Sequence, residues 1–381
     1  MPAPPARGMG RPAKPARLAP MNTPPGASDL PVTGLLEQAQ QALQAQRWAP
    51  ALALAQQALA EPALPDDARI EALLLVAQSQ WRQGDLLRVH RPALQAAALA
   101  RRLQQLPACI RGLTLAAFAL GELSLADEAL PLALEALTLA RQPGQHGLLP
   151  GALSCAAHVY ARLCDLEHAE GLHMQALSLA REAGAIEALH QAYANLIASF
   201  IVAHKELLAS GQEQAAQAAL ARARRYASHA RSLLDDARLD EYRRFGLMLN
   251  LGHLLTLAEQ LDEAEPLLRA GIALAHKQAA GYYLLSGEAS LAELLLKRGR
   301  PAEALPLLHA ALHPEPGQGG FSLQLSALRT ALACRQALGD SAAAQDLQAE
   351  LDAALRARAA MREQAQQSLS DPGRASSWAP L

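Results

Sequence analysis

Two cysteines and two histidines lie close enough together along the chain to raise the question of a metal site. Cys155, His158, Cys164 and His168 give the spacing Cys-x2-His-x5-Cys-x3-His, with His173 nearby. Zinc in a structural site takes four nitrogen or sulfur ligands in tetrahedral positions. The alternative is that Cys155 packs as a small apolar side chain, while the histidines lie on the surface or in a groove. Because the spacing matches no known zinc pattern, we expect no metal and no other cofactor.

Motifs for phosphate binding and for nucleophilic catalysis are missing from the sequence. It contains neither a Gly-x-x-x-x-Gly-Lys-[Ser/Thr] loop nor a Gly-x-Gly-x-x-Gly loop, and no Gly-x-Ser-x-Gly elbow. The glycine-rich stretch 317–320 follows no predicted strand. A catalytic Cys–His pair stays open as an alternative, but nothing in the sequence singles out one pair. We therefore expect a protein that is not an enzyme.

One stretch is rich in arginine and could bind an acidic peptide or a phosphate backbone. Its basic residues are Arg222, Arg224, Arg225, Arg231, Arg238, Arg243 and Arg244. Acidic residues interleave with the later ones, namely Asp235, Asp236, Asp240 and Glu241. This mixture is typical of a solvated helix face. The formal net charge is −2, so we expect neither nucleic acid nor a membrane surface as the main partner.

The composition predicts helices as the elements that carry these residues. Of 381 residues, 51% are hydrophobic but only 3% are aromatic, so the apolar content is mainly Ala and Leu. These two residues lose little side-chain freedom in a helix, whereas strands favour β-branched and aromatic residues. The four cysteines are irregularly spaced, which indicates reduced thiols. With no secretory signal and no long apolar segment, the expected location is the cytoplasm.

A repeat of about 40 residues runs through the chain from residue 32 onward. Its mark is a small residue followed seven positions later by another, because seven residues are about two helical turns and both positions share one face. The intervals between successive first members are 38, 40, 40, 54, 41, 40 and 40 residues. The pairs are Ala51/Ala58, Val89/Ala96, Ala129/Ala136, Ala169/Ala176, Ala223/Ala230, Ala264/Gly271, Ala304/Ala311 and Ala344/Leu351.

A turn signal precedes several of these pairs and indicates where one helix ends and the next begins. The signals are Gly84-Asp85, Gly121-Glu122, Cys164-Asp165, Gly299-Arg300 and Gly339-Asp340. Glycine there supplies the left-handed backbone conformation that stops a helix. The predicted unit is therefore a helix, a tight turn and a second helix.

This unit resembles the tetratricopeptide repeat (TPR) family. The likeness is clearest at Ala157, Tyr160, Asp165-Leu166 and Ala169, at Asn250 to Gly252 with Leu261 to Ala264, and at Gly299, Ala304 and Ala311. It implies an all-α fold, a right-handed α-solenoid of about eight TPR-like hairpins over residues 32–368. The period of 40 departs from the family's 34, a variant frequent in bacterial regulatory proteins of this family.

The resemblance also implies a non-catalytic scaffold that binds a peptide or protein partner in a concave groove formed by the first helices. The residues projected onto that groove are Gln78, Trp81, His158, Gln191, Asn195, Leu249, Asn250, His253 and Glu293. An Asn amide can donate to and accept from a peptide backbone together, so Asn195 and Asn250 could hold the partner. The equal alternative is a hydrogen bond within the scaffold. The family's carboxylate clamp is absent, because Leu36, Glu37 and Gln40 stand where Lys and Asn are needed.

The interval of 54 residues indicates an insertion of about fourteen residues near Lys205–Gln214. It is either a neutral loop extension or a protrusion that contacts a partner. Residues 1–31 and 369–381 are rich in residues that favour turns and disorder, so both are predicted to be disordered. We hypothesise a translation start at Met21, which mass spectrometry of the native N-terminus would test.

The C-terminal part offers an alternative function. Ser368 to Asp371-Pro372 looks like the junction that leads into the catalytic domain of diguanylate cyclases, many of which carry such repeats upstream. The following residues depart from that family, and its GGDEF output domain is missing. On this interpretation the chain is a sensory module without its output. The helix before the junction has Ala and Leu along one side, so it could also continue into a coiled coil and support self-association.

Overall fold

The chain forms helices throughout the part that the structure covers. This computed structural model describes residues 32–45, 47–83, 85–236, 238–239, 241–277, 281–313 and 321–370, and no strand occurs among them. The predicted all-α fold is confirmed. Of the predicted disordered segments, residues 1–31 and residues 371–381 lie outside the described residues, as does the glycine-rich stretch 317–320. Residues 369 and 370, which the prediction assigned to the tail, end the last helix instead. None of the helices in these ranges is long and apolar enough to cross a membrane.

Sixteen helices follow one another in the described ranges and pair into eight hairpins, each with a first and a second helix. The first helices are α1 (Val32–Gln44), α3 (Asp66–Arg82), α5 (Leu106–Glu122), α7 (Leu149–Arg162), α9 (Ile186–Ala209), α11 (Glu241–Leu257), α13 (Gly281–Lys297) and α15 (Phe321–Ala337). The second helices are α2 (Trp48–Leu59), α4 (Leu86–Arg102), α6 (Ala126–Ala140), α8 (Leu166–Glu182), α10 (Glu213–Leu234), α12 (Leu261–Lys277), α14 (Pro301–Leu312) and α16 (Ser341–Ser370). The predicted solenoid of about eight hairpins is confirmed.

In the third to eighth hairpins, the turn inside the hairpin stops the first helix by a left-handed residue. Gly299 and Gly339 have φ of 70° and 72°, as the sequence predicts, and Cys164 takes the same conformation at 60°. One turn was placed wrongly, because Gly121-Glu122 still belongs to α5 and the left-handed residue is Ser124, with φ 63°. The amide after each of these residues bonds back to the last helical turn, as Leu125 N does to Leu120 O at 2.9 Å. Gly84 lies outside the described residues.

The repeated small residues occupy equivalent buried places between paired helices. Ala129, Ala169, Ala264 and Ala304 are each the fourth residue of their second helix and have no exposed surface. In the fifth hairpin the fourth residue of α10 is Ala216, which is equally buried, and Ala223 lies two turns further on. Small residues at these places let the second helix approach its partner closely.

The predicted single insertion near Lys205–Gln214 is therefore divided between two helices. Measured from Ala216, the intervals are 47 residues back to Ala169 and 48 forward to Ala264. Against a period of 40, each helix of the fifth hairpin has gained about seven residues, which is close to two turns and keeps the apolar face in register. Lys205 and Glu206 accordingly lie in α9, which has 24 residues, and only Ser210 to Gln212 form the turn.

The first helices form one layer of the solenoid. Those of successive hairpins pack on one another along the chain, from α1 on α3 through α13 on α15, and no contact of similar extent joins successive second helices in the described ranges. A stack whose members approach more closely on one side curves towards that side. We call the exposed side of this layer the inner surface.

A buried histidine links α8 to α9 in the core and should make stability depend on pH. His173 is fully buried, with Nε2 3.0 Å from Ser199 Oγ, and burial, helped by the charge of His158, lowers its pKa to about 3. Since the unfolded chain binds this proton below a pKa of 6.5, acid favours unfolding. Between about pH 7 and about pH 5.5 we expect a loss of about 1 kcal/mol from this group. Urea unfolding at both pH values should show that loss shrinking in His173→Gln.

The exposed His146 gives the control, because His146→Gln should keep the full pH dependence of the unaltered chain. Equal pH dependence in His173→Gln and the unaltered protein would show that His173 is not the group responsible.

Candidate functional site

An aromatic row crosses the inner surface at its N-terminal half. Trp81 of α3 meets Phe118 of α5 edge to face, with ring centroids 5.1 Å apart, and Phe118 lies 5.3 Å from the ring of His158 on α7. All three side chains are half-buried, so each keeps one side accessible. Two of them were predicted for the groove, and Phe118 was not. Half-exposed aromatic rings of this kind offer a partner contact area with little loss of side-chain freedom.

A cluster of ions continues the row towards the middle of the inner surface. The Nε2 atom of His158 lies 2.9 Å from Glu122 Oε1, which also accepts from Arg162 Nη2 at 2.6 Å. The other Arg162 nitrogen donates to Glu206 Oε1 at 2.8 Å. Arg358 of α16 donates to Ser124 Oγ and lies 3.9 Å from Glu206 Oε1. We call Glu122, Arg162, Glu206 and Arg358 the central ion cluster.

Charge pairing controls ionisation in this cluster. Burial disfavours the charged form of Glu122, but the charge of Arg162 and the hydrogen bond from His158 hold its pKa well below the usual range. Arg162 is only 7% exposed, and its two carboxylate partners raise its pKa against the effect of burial. Both groups are therefore charged at neutral pH, and each compensates the buried charge of the other.

A second polar group lies further along, between α9, α11 and α13. His253 Nε2 is 3.5 Å from Glu293 Oε2, and both residues were predicted for the groove. Although burial opposes ionisation, the His253 hydrogen bond and the charge of Lys205 lower the pKa of Glu293 to about 2. Burial lowers the pKa of Lys205, whose Nζ donates to Ser326 Oγ of α15 at 3.5 Å. The last hairpin thus contacts the same inner surface.

The two asparagines are held by the scaffold. Asn195 donates to Ser154 Oγ at 3.1 Å and accepts from Gln191 at 2.8 Å. Asn250 donates to the carbonyl of Ala194 at 3.1 Å. The bonds to Ser154 and to Ala194 join first helices of neighbouring hairpins, whereas the Gln191 bond lies within α9. The alternative of a hydrogen bond within the scaffold therefore describes this structure.

The remaining predicted groove residues have different positions. Gln191 is exposed and Gln78 is half-buried, so both can be reached from solvent. Leu249 is only 4% exposed, because it packs where a Cβ on Gly271 or Gly287 would come within 2.8 or 2.7 Å of it. Leu249 is therefore a core residue that fills a close helix approach, and no ligand reaches it without rearrangement.

The residues weighed for a zinc site do not converge. Cys155 Sγ lies 3.5 Å from the carbonyl of Thr114, and His158 lies against Glu122. His168 pairs with Asp165 at 2.8 Å and stacks on Tyr160. Across the described part of the chain, no three His, Cys, Asp or Glu side chains come together as metal ligands.

Three arginines of the arginine-rich stretch pair with neighbouring hairpins, and Arg238 pairs with Asp236 within the stretch. Arg222 and Arg225 both pair with Glu170 of α8, and Arg231 pairs with Glu263 of α12. These pairs link α10 to its neighbours, and Arg225 and Arg231 stay more than half exposed, which agrees with the interpretation as a solvated, paired helix face.

Sequence reasoning missed Phe118, Glu122, Arg162, Glu206 and Arg358. A signal for part of the set exists, because Glu122 and Arg162 are 40 residues apart, and so are Phe118 and His158. Side chains one period apart lie side by side on adjacent first helices. Opposite charges one period apart therefore predict an ion pair.

The fold and these side chains define a helical-repeat solenoid whose inner surface is polar and aromatic. Comparison by sequence gives no matching family model and no matching curated protein. A Rap protein solved in complex with competence and sporulation factor is similar with a TM-score of 0.48 and 14% identity, over 87% of this chain and 99% of that chain. The apo form of RapI has a TM-score of 0.40 and 10% identity, over 90% and 99%.

Yeast Tom70 is more distant, with a TM-score of 0.28 and 13% identity over 91% of this chain and 98% of that chain. These likenesses are too remote to assign a family, and the fold assignment depends on the helices themselves. None of them supports an origin from a diguanylate cyclase. The Asp371-Pro372 junction that suggested that origin lies outside the described residues.

Proposed function

We propose that this protein is a non-catalytic scaffold that binds a peptide or a segment of a protein on its inner surface. The observation that supports this most is the row from Trp81 through Phe118 and His158 to the central ion cluster. It combines accessible aromatic area with charged groups whose positions are fixed by neighbouring helices. Interfaces place aromatic and arginine side chains at such positions.

The inner surface is preorganised, which lowers the loss of conformational freedom on binding. Asn195, Asn250 and Arg162 each bridge two or more first helices, so the spacing of the row is set before a partner arrives. A partner then loses mainly its own freedom on binding, because few side chains of the scaffold need to be ordered.

Affinity capture from native extract tests the proposal. We expect Trp81→Ala combined with His158→Ala to lose most captured polypeptides, because truncating buried aromatic anchors costs about 2 kcal/mol or more of binding, roughly 30-fold. The read-out is quantitative mass spectrometry of the captured set. Circular dichroism of each variant checks that the helices are retained.

The matched control truncates exposed apolar side chains on second helices. Leu134 of α6 is 36% exposed and Met174 of α8 is 38% exposed, so Leu134→Ala with Met174→Ala removes similar apolar area away from the inner surface. Partners lost from this control and retained by the inner-surface variant would place the binding surface on the second helices and refute the proposal.

A further inference from the structure

The last helix crosses to the third hairpin and fills a position on the inner surface. Arg358 of α16 and Ser124 of the α5–α6 turn are 234 positions apart in sequence, yet the guanidinium donates to the serine hydroxyl. The same Nη2 atom lies 3.9 Å from Glu206 of α9. Lys205, next to Glu206, donates to Ser326 of α15. Both helices of the last hairpin therefore touch the middle of the wall.

The charges explain why a cation is needed there. Glu122 and Glu206 both bind Arg162, so two carboxylates share one guanidinium. Without Arg358, the two carboxylates and Arg162 would carry a net charge of −1. Because this part of the inner surface is partly shielded from water, an uncompensated charge there is costly. Of the two carboxylates, His158 pairs with Glu122. Burial lowers the pKa of Arg358, the charge of Glu206 raises it, and the charges of Arg162 and of Arg329 on α15 lower it further.

Arg358 itself is held less firmly than Arg162. Its side chain is 25% exposed, against 7% for Arg162, and its ion pair to Glu206 is longer by about 1 Å. A charge pair with this much water around it is exchangeable at small cost. Within the central ion cluster, Glu122, Arg162 and Glu206 are therefore held firmly, whereas Arg358 can be replaced by another cation.

We propose that Glu206 and Glu122, with Ser124, form a cation site on the inner surface that Arg358 fills in the free protein and that the peptide partner fills with an arginine or lysine of its own. This deepens the proposed function and rests on it, since it names the chemistry of the bound segment. Binding then releases the last hairpin from the third, so the partner exchanges one guanidinium for another. Peptides without a cationic side chain at this point leave Arg358 in place and bind more weakly.

A labelled synthetic peptide of residues 350–363 is the probe, since it carries Arg358 in its own sequence. In the unaltered full-length chain, the tethered Arg358 competes at a high effective concentration. The full-length Arg358→Ala variant has an empty site, so it should bind the peptide roughly 10-fold more tightly than the unaltered chain does. Fluorescence anisotropy measures both affinities, and Arg358→Lys in the chain should restore most of the competition.

Three controls make the result specific. Arg356 is exposed on the same helix, so Arg356→Ala in the chain should leave peptide binding unchanged. Adding Glu206→Gln to the Arg358→Ala chain should abolish the gain. A peptide carrying Arg358→Ala should bind neither chain. Equal affinity of the peptide for the unaltered and Arg358→Ala chains, or binding that ignores the arginine in the peptide, would overturn the cation site.

The outcomes separate this inference from the proposed function. If inner-surface variants lose captured partners while the peptide ignores Arg358, the scaffold function stands and the cation site is wrong. If the peptide behaves as expected while capture does not depend on Trp81 and His158, the cation site stands and binding along the aromatic row is wrong.

Discussion

Replacing Arg162 with methionine is expected to lower the free energy of unfolding by about 3 kcal/mol. The side chain is 7% exposed and joins α5, α7 and α9 through Glu122 and Glu206. Methionine keeps most of the apolar stem but leaves two carboxylates without their main partner. The retained exposure of those carboxylates, 22% and 33%, places the expected loss at the low end for a broken buried pair. Urea unfolding followed by circular dichroism measures it.

A pair whose arginine is mostly exposed supplies the comparison, and its carboxylate keeps Arg298 and Arg300 as further partners. Arg269 bonds Glu265 one turn away at 2.7 Å, but its side chain is 52% exposed, so Arg269→Met should cost under about 1 kcal/mol. Adding Glu122→Gln to Arg162→Met should recover part of the loss, because it removes one stranded charge. A loss for Arg162→Met no larger than that for Arg269→Met would mean that the central ion cluster contributes nothing to stability.

The repeat could be predicted from the sequence because the buried positions between paired helices accept only small residues, and these recur with the period of the repeat. Ala129 and Ala169 are 40 residues apart, and so are Ala264 and Ala304, since each occupies the same contact between paired helices. The turns were harder, because Gly is not required for the left-handed conformation. In the described turns inside hairpins, Ser124, Cys164 and Glu259 adopt it at φ of 60–63°, and Gly211, Gly299 and Gly339 adopt it at 70–75°.

The fifth hairpin shows where periodicity misleads. Ala216, Ala223 and Ala230 are all buried and are separated by seven residues, so the pattern cannot tell which of them begins the unit. An insertion of about two turns in each helix preserves the buried face and leaves only the total length as a trace. The excess of the 54-residue interval over the period of 40 therefore comes from two smaller insertions, one in each helix of the hairpin.

On the inner surface, the sequence could predict only contacts between adjacent first helices. Contacts such as that of His253 with Glu293 join residues one period apart, which the repeat register reveals. The contact of Arg358 with Ser124 depends on curvature accumulated over five hairpins, to which every interface contributes a little. No local pattern encodes such a sum. The side chain that closes the cation site therefore had to be found in the structure.

Replacing Gly112 with alanine is expected to destabilise the protein by about 2 kcal/mol, although alanine is the better helix former. A Cβ at this position in α5 would lie 2.6 Å from the backbone carbonyl oxygen of Ala93 and 3.0 Å from the Ala97 side chain, both in α4. Because the nearest obstacle is backbone, no rotamer change relieves the clash, and the two helices must separate. That separation opens the core around fully buried residues such as Leu120. Urea unfolding measures the loss.

The same substitution elsewhere should have the opposite sign. Gly171 of α8 is exposed, and a Cβ there would meet nothing within 4 Å, so Gly171→Ala should stabilise by up to about 1 kcal/mol through helix propensity alone. The two variants share their chemistry and differ only in the distance to the neighbouring helix. Opposite signs would show that close helix approach, rather than backbone flexibility, is what Gly112 provides. If both variants were stabilised, α4 and α5 could not be packed as closely as described.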